Sequence, residues 1–241
     1  MSIYKHFSEF YDSYIAQYDY SLWFSYLCML SGYDSFSGKR VLDLGCGTGS
    51  MLARFASEGA IAIGVDISED MLEKAYSKLF PKHSSAMIVN ADISDVVFSY
   101  KIDFAYSMGD TVNYLNNEQM AKLLENVYTM LAEGSAFTFD IINTEFLNDG
   151  RMDETVFTEL GSIRFERKIN ESQSAVFTQV HLPSLANCED LVEEHIQYLH
   201  TPDSLTVLAQ EAGFRSCCFY DIFSTELYTK NSEKIQGLLR K

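Results

Sequence analysis

From about residue 39 to 140 the chain alternates short apolar runs with stretches whose apolar residues recur every three or four positions, the pattern of βαβ units around a parallel sheet. The expected strands are Val41 to Leu44, Ala60 to Val65, Ala86 to Asn90, Ile102 to Ser107 and Ala136 to Asp140. Between them, Leu52, Phe55 and Ala56 share a helical face, as do Leu72, Ala75, Tyr76 and Leu79, and then Leu123, Leu124, Val127, Tyr128 and Leu131. Ser68 stands as an N-cap ahead of Glu69 and Asp70, and Gly59 and Gly134 sit where helix C-caps belong.

Residues 141 to 199 break this rhythm. Ile163/Phe165 and Val176/Thr178/Val180 alternate at period two without long intervening helices, which predicts an antiparallel insertion. Thr201-Pro202 then starts a helix through Leu205, Leu208, Ala209 and Ala212, closed by Gly213. Two more strands are expected at Arg215 to Ile222 and Lys234 to Leu239. Phe7, Phe10, Tyr11 and Tyr14 share a helical face in an aromatic N-terminal segment. One domain is expected over 1–241, divided into a helical cap (1–35), a core (36–140), the insertion (141–199) and a return to the core (200–241).

Eighteen basic against 34 acidic residues give a net charge of −16, so general nucleic-acid binding is disfavoured. The five cysteines, Cys28, Cys46, Cys188, Cys217 and Cys218, form no C-x-x-C pair and are odd in number, which suggests neither a zinc clip nor a disulfide framework. No stretch reaches the roughly 20 apolar residues of a membrane span, and the first residues resemble no secretory leader. A soluble protein of the reducing cytoplasm is expected, with no membrane partner and an oligomeric state that the sequence leaves open.

The chemistry concentrates in Val41-Leu42-Asp43-Leu44-Gly45-Cys46-Gly47-Thr48-Gly49, an apolar strand running into a glycine turn that opens a helix. Glycine permits positive φ and close approach to bare backbone, and the new helix offers unpaired N–H groups. The spacing is G-x-G-x-G, against G-x-G-x-x-G for a dinucleotide fingerprint. Asp43 would face a pyrophosphate at a cost of roughly 1 to 4 kcal/mol. A ligand with a cationic end fits better, so an NAD-dependent oxidoreductase is disfavoured. Asp66 closes the second strand, where a carboxylate accepts both hydroxyls of a ribose. Asp92 closes the third, positioned to accept from an exocyclic amine, while Ile67, Met71 and Ile93 can sandwich a flat base. A nucleoside joined to an ammonium-bearing group describes S-adenosylmethionine.

Together VLDLGCGTG, GVDIS-x-x-ML, ADI and Ser107-Met108-Gly109-Asp110-Thr111-Val112-Asn113-Tyr114 resemble a class I S-adenosylmethionine-dependent methyltransferase over residues 40 to 140. Phe10-Tyr11-Asp12 and Asp19-Tyr20-Ser21-Leu22-Trp23 resemble the aromatic cap of small-molecule members, and the insertion resembles the lid of glycine and amino-sugar N-methyltransferases. The resemblance implies an α/β fold with a doubly wound, seven-stranded, mostly parallel Rossmann-like sheet, an antiparallel β insertion and an N-terminal helical cap. It implies that Gly45, Cys46, Gly47 and the Asp43 neighbourhood hold the methionine end, Asp66 the ribose, and Asp92 and Ile93 the adenine. Met108 and Gly109 would lie under the cofactor, and Tyr11 and Trp23 would close over it. The cofactor would leave as S-adenosylhomocysteine.

Other roles compete for some of these residues: Asp43 can hold the glycine turn through backbone N–H groups, and Tyr11 and Trp23 can be core residues of an N-terminal helix pair. No metal site assembles from Asp140, Asn143 and Asp149. A protonated acceptor must lose a proton, which histidine removes near neutral pH. His195 and His200, five apart on one strand-like stretch, would point to opposite faces, and His195 is the candidate base, with Glu194 and Tyr198 as polar company. The expected acceptor is a small molecule methylated on an amine nitrogen; an O- or carboxyl-methyltransferase and a non-catalytic S-adenosylmethionine-binding partner protein are the alternatives.

Overall fold

The computed structural model describes residues 4–80, 82, 85–147, 153–183 and 191–241. In chain order its strands are β1 (Arg40–Leu44), β2 (Ile61–Asp66), β3 (Met87–Asn90), β4 (Ile102–Ser107), β5 (Leu131–Ile142), β6 (Glu154–Thr158), β7 (Gly161–Asn170), β8 (Ala175–Leu182), β9 (Leu191–Tyr198), β10 (Ser216–Asp221) and β11 (Lys234–Arg240). The helices are α1 (Ser8–Ile15), α2 (Tyr20–Ser31), α3 (Ser50–Ser57), α4 (Glu69–Leu79), α5 (Asn117–Met130), α6 (Thr144–Leu147) and α7 (Pro202–Ala212).

Seven strands form one sheet in the order β10-β11-β5-β4-β1-β2-β3. Strands β1 to β5 pair in parallel, whereas β11 is antiparallel to both β5 and β10. Period-two alternation sends successive residues to opposite layers. Leu42, Leu44, Ala105, Phe137 and Phe139 pack with Leu123 and Val127 of α5 and Leu205 of α7. Val41, Phe104 and Tyr106 face the other way, onto Leu27 of α2 and Phe55 of α3. The sheet is therefore covered on both faces, as a near-continuous parallel core requires.

The insertion is a separate antiparallel sheet in the order β6-β7-β8-β9. Ile163, Phe165, Val180 and Leu182 on its inner face bury Phe7 and Phe10 of the N-terminal segment, so cap and insertion form one roof. Local signals fix the helix ends. Asp19 caps α2 by accepting from the Ser21 and Leu22 N–H groups, Ser68 caps α4 through Met71, and Thr201 with Ser204 forms a capping box before Pro202.

Two local expectations are corrected. Gly134 is no helix C-cap: α5 ends at Met130, its cap is Leu131, and the chain passes directly into β5. Gly134, at φ +77°, lies where the β4–β5 register shifts, so its left-handed backbone serves a bulge. His200 lies beyond β9, where its Nε2 meets the Leu115 carbonyl at 2.9 Å, so strand alternation with His195 does not govern it. Asp149 and Cys188 lie outside the described residues. Among the described residues no helix is long and apolar enough to cross a membrane.

Candidate active site

At the C-terminal end of β1 the chain turns at Gly45, with φ +88°. A Cβ there would stand 2.3 Å from Thr111 Cγ2, so the close approach of the turn after β4 demands glycine. The Gly45 and Cys46 N–H groups donate to Val65 O at 2.8 and 3.0 Å. Gly47 N–H donates to Asp66 Oδ2 at 2.8 Å, and Ser68 N–H to Asp66 Oδ1 at 2.9 Å. Asp66 thus ties the second strand to the glycine turn, and its carboxylate keeps acceptor capacity for a further donor. The cap is fastened to the same turn. Lys78 of α4 donates to Asp12 Oδ1 of α1 at 2.7 Å, to Thr48 at 2.9 Å and to Ser50 at 2.9 Å.

Two cavities of about 250 and 330 Å³ open over these strand ends. The smaller is lined by Gly47, Asp66, Ile67, Met71, Asp92 and Ile93, the residues expected to hold a nucleoside. The larger is lined by Trp23, Asp43, Cys46, Met108 and His195 among others. Tyr4, Tyr11, Gly45, Gly109 and Tyr114 line both and form their junction. Every residue expected at the site therefore borders one of two adjoining spaces. Tyr11 is half-buried at the junction, and Trp23 packs edge-on against Phe223 at 4.9 Å while still facing the larger cavity.

Asp43 does not take the structural role open to it, that of holding the glycine turn. It is buried, lines the larger cavity and not the nucleoside side, and accepts from the Tyr106 hydroxyl at 2.7 Å. The amides of the glycine turn go to Val65 and Asp66 instead. Burial pushes the Asp43 carboxyl up to about 7, against the lowering effect of the Tyr106 hydrogen bond and with a further push from Asp66. Asp92 accepts from the Ser94 N–H and hydroxyl, both at 2.8 Å, which fixes the loop after β3. Cys46 is buried against Gly64, and burial raises its thiol well above the ordinary value, as suits a small apolar filler.

Near the junction, Lys234 bridges Asp110 at 3.0 Å and the fully buried Asp140 at 3.2 Å. Burial pulls this lysine down, but the two carboxylates outweigh it and hold the ammonium charged. Asn143 spends its amide on the Thr229 and Ser232 carbonyls. Arg167, another cation on the wall, pairs with Glu154 at 3.3 Å. Both cations are matched by carboxylates, while Glu233 faces the same space, so the larger cavity is acidic on balance.

The roof carries a network that sequence reading found only in part. His195 is buried on the inner face of β9; its Nδ1 meets the Tyr114 hydroxyl at 3.0 Å, and that hydroxyl meets Tyr4 at 2.9 Å. Its acidic neighbour is Glu193, at 3.7 Å from Nε2, and not Glu194, which turns outward to Gln179. Tyr198 offers its carbonyl to Asn113. Period two on β9 puts residues 193, 195 and 197 on one face, a signal that would have singled out Glu193. Thr178, paired with His195 across β8 and β9, faces the cavity too, and among the described residues its hydroxyl lacks a partner.

Residues 41–134 match a family model described as a methyltransferase domain. Over 98% of both chains the structure superposes on an S-adenosylmethionine-dependent methyltransferase from Clostridium acetobutylicum ATCC 824, with a TM-score of 0.81 and 22% identity. This chain has the class I methyltransferase fold. A sugar N-methyltransferase from Streptoalloteichus sp ATCC 53650 shares that fold at a TM-score of 0.72 and 17% identity, covering 98% of this chain and 94% of the other. By sequence, a Geobacillus sp. (strain WCH70) protein provisionally named a methyltransferase is 29% identical over 157 residues, 64% of this chain and 63% of the relative. The cypemycin N-terminal methyltransferase of Streptomyces sp is 30% identical over 149 residues, 61% of this chain and 58% of the relative. The matched region thus spans less than two thirds of either relative's length.

Proposed function

We propose that this chain is an enzyme that transfers the methyl group of S-adenosylmethionine to a small molecule, and that the atom methylated is an amine nitrogen. The observation that carries this reading is the junction at Tyr4, Tyr11, Gly45, Gly109 and Tyr114, which joins the cavity lined by Asp66, Ile67, Met71, Asp92 and Ile93 to a second one under the β6–β9 sheet. The residues fit the cofactor: Gly45 leaves bare backbone, no atom within 4 Å would meet a Cβ on Gly109, and Asp66 retains acceptor capacity. Bound there, S-adenosylmethionine would supply a sulfonium methyl group with a neutral thioether as leaving group.

The protein's share is alignment and exclusion of water. Asp66 and Asp92 hold the nucleoside, Tyr11 and Trp23 close over the cofactor, and the β6–β9 sheet closes the acceptor cavity. Fixing two reactants in line supplies several kcal/mol of the barrier reduction. His195, which meets the hydroxyl of the junction residue Tyr114 at 3.0 Å, is the candidate proton acceptor. An amine suits the acidic balance of the wall and its tyrosine faces, which attract a cation. The name of the Streptoalloteichus relative, a sugar N-methyltransferase, agrees with nitrogen chemistry.

Calorimetry with S-adenosylmethionine and with NAD tests the cofactor: tight binding of NAD alone reverses the assignment. Thiol release from S-adenosylhomocysteine, coupled to its hydrolysis, across a panel of amines, sugars and carboxylic acids tests the acceptor. Turnover confined to carboxylic acids or hydroxyls overturns the amine reading, and saturable binding without any turnover leaves a binding protein.

A further inference from the structure

Glu193 is a nearly buried carboxylate on the lid, and it faces two ways. Its Oε1 accepts from the backbone N–H groups of His6 and Phe7, the latter at 3.2 Å. Its Oε2 lies 3.7 Å from His195 Nε2. The segment it grips carries Tyr4, whose ring packs against His195 at 5.0 Å and whose hydroxyl meets Tyr114. The contacts close a circuit: Glu193, the 4–7 backbone, Tyr4, Tyr114, His195 and Glu193 again. Three separate elements supply it, namely the N-terminal segment, the turn after β4 and strand β9. Tyr4 and Tyr114 are also members of the junction between the cavities.

We propose that Glu193 is a positioning residue with two tasks: it clamps the N-terminal segment over the cofactor cavity, and it sets the tautomer in which His195 meets the junction. This rests on the methyltransferase reading given above. A carboxylate only accepts, so it fixes the polarity of the whole chain. His195 Nε2–H points at Glu193, Nδ1 presents its lone pair to the Tyr114 O–H, and Tyr114 oxygen accepts from the Tyr4 O–H. Tyr4 oxygen is then left with lone pairs at the junction. A proton released there by a methylated amine bonds to Tyr4 oxygen, the Tyr4 proton passes to Tyr114, and the Tyr114 proton passes to His195 Nδ1. The imidazolium so formed stands against Glu193. Burial raises the Glu193 carboxyl, but His195 and the His6 and Phe7 amides outweigh it and hold it below the ordinary value, so it remains charged for the task. Among the described residues Glu193 Oε2 and His195 Nε2 have no hydrogen-bond partner, and they face each other across the single gap in the circuit.

The test needs no acceptor. Nitrogen-15 NMR of the ligand-free protein at pH 8.5 reads the His195 tautomer, and stopped-flow displacement reads S-adenosylhomocysteine dissociation. The wild type is expected to hold the Nε2–H form. E193Q has one oxygen where two are used: with it on the His6 and Phe7 amides, the ratio of Nε2–H to Nδ1–H falls at least fivefold and dissociation stays within twofold. E193A loses both tasks, and dissociation accelerates about tenfold. An unchanged tautomer with unchanged dissociation in E193Q overturns the proposal, and because that variant is isosteric the result stands even if E193A misfolds. Failure of the wild type to bind S-adenosylhomocysteine would sink the methyltransferase reading instead, while the imidazole spectra would still judge Glu193.

Discussion

Replacing Asp43 by asparagine should flatten the pH dependence of stability. Asparagine keeps an oxygen for the Tyr106 hydroxyl and the volume of the side chain, so only the ionisation is removed. In the folded protein burial lifts the carboxyl from 3.8 to about 7. Below the lower value both folded and unfolded chains hold the proton, and the group costs nothing. Between the two values the unfolded chain has released it and the folded one has not, so stability falls as pH rises. Above 7 the cost is complete, about 4 kcal/mol. Roughly 1.5 kcal/mol of that is incurred by pH 5 and about 2.5 kcal/mol accrues between pH 5 and 8. Urea unfolding of ligand-free wild type and Asp43→Asn at these two pH values reads the difference directly. Asp140, also raised by burial, contributes the same slope to both proteins and cancels. Wild type should lose about 2.5 kcal/mol more than the variant. Equal losses would refute the reasoning, because Asp43 would then titrate in the folded protein as it does in water. A cationic ligand beside Asp43 should also expel its proton: calorimetry at pH 7 in two buffers of different ionisation enthalpy should find about half a proton released per S-adenosylmethionine bound, and none in the variant.

Asp66→Ala should weaken S-adenosylmethionine binding by roughly 1.5 to 3 kcal/mol in calorimetry, the range for hydrogen bonds to a charged group; unchanged affinity would remove Asp66 from the site. Gly45→Ala would drive a methyl to 2.3 Å from Thr111 at φ +88°, so melting temperature and cofactor affinity should both fall, with a stability loss of at least about 1 to 3 kcal/mol. His195→Asn should lower kcat by about 10²- to 10⁴-fold with the best acceptor of the panel, while the affinity for S-adenosylmethionine stays within about twofold. A kcat within a few-fold of wild type would show that alignment alone carries the reaction.

The parallel half of the fold was readable because each βα unit writes its own signal: apolar runs for buried strands, three-to-four spacing for helices, and glycines at the turn after β1. The same locality explains the misplacement of Gly134, since a helix C-cap and a β-bulge both favour a left-handed glycine and nothing within a few residues distinguishes them. Asp43 was legible as a site residue, but its partner is Tyr106 on another strand, and no local pattern reports that pairing. The roof was harder still. The Tyr4–Tyr114 and Glu193–His6 contacts join residues 110 and 187 positions apart. Only the parity of β9 was available in the sequence, and it pointed to Glu193. Lys234 appeared as the first residue of an expected strand, with no hint that Asp110 and Asp140 would converge on it.

Strand β11 follows β10 in the chain yet lies between β10 and β5 in the sheet. On a ribosome this order has a cost. Once β5 has emerged, its free edge, with Phe137, Phe139 and Ile141 beside it, must wait until residues 234–240 are made, on the order of ten seconds at about 5 to 20 residues per second. Throughout that interval the β5 edge is open to any other nascent chain with an unpaired strand, and β10, once made, has no partner until β11 follows it.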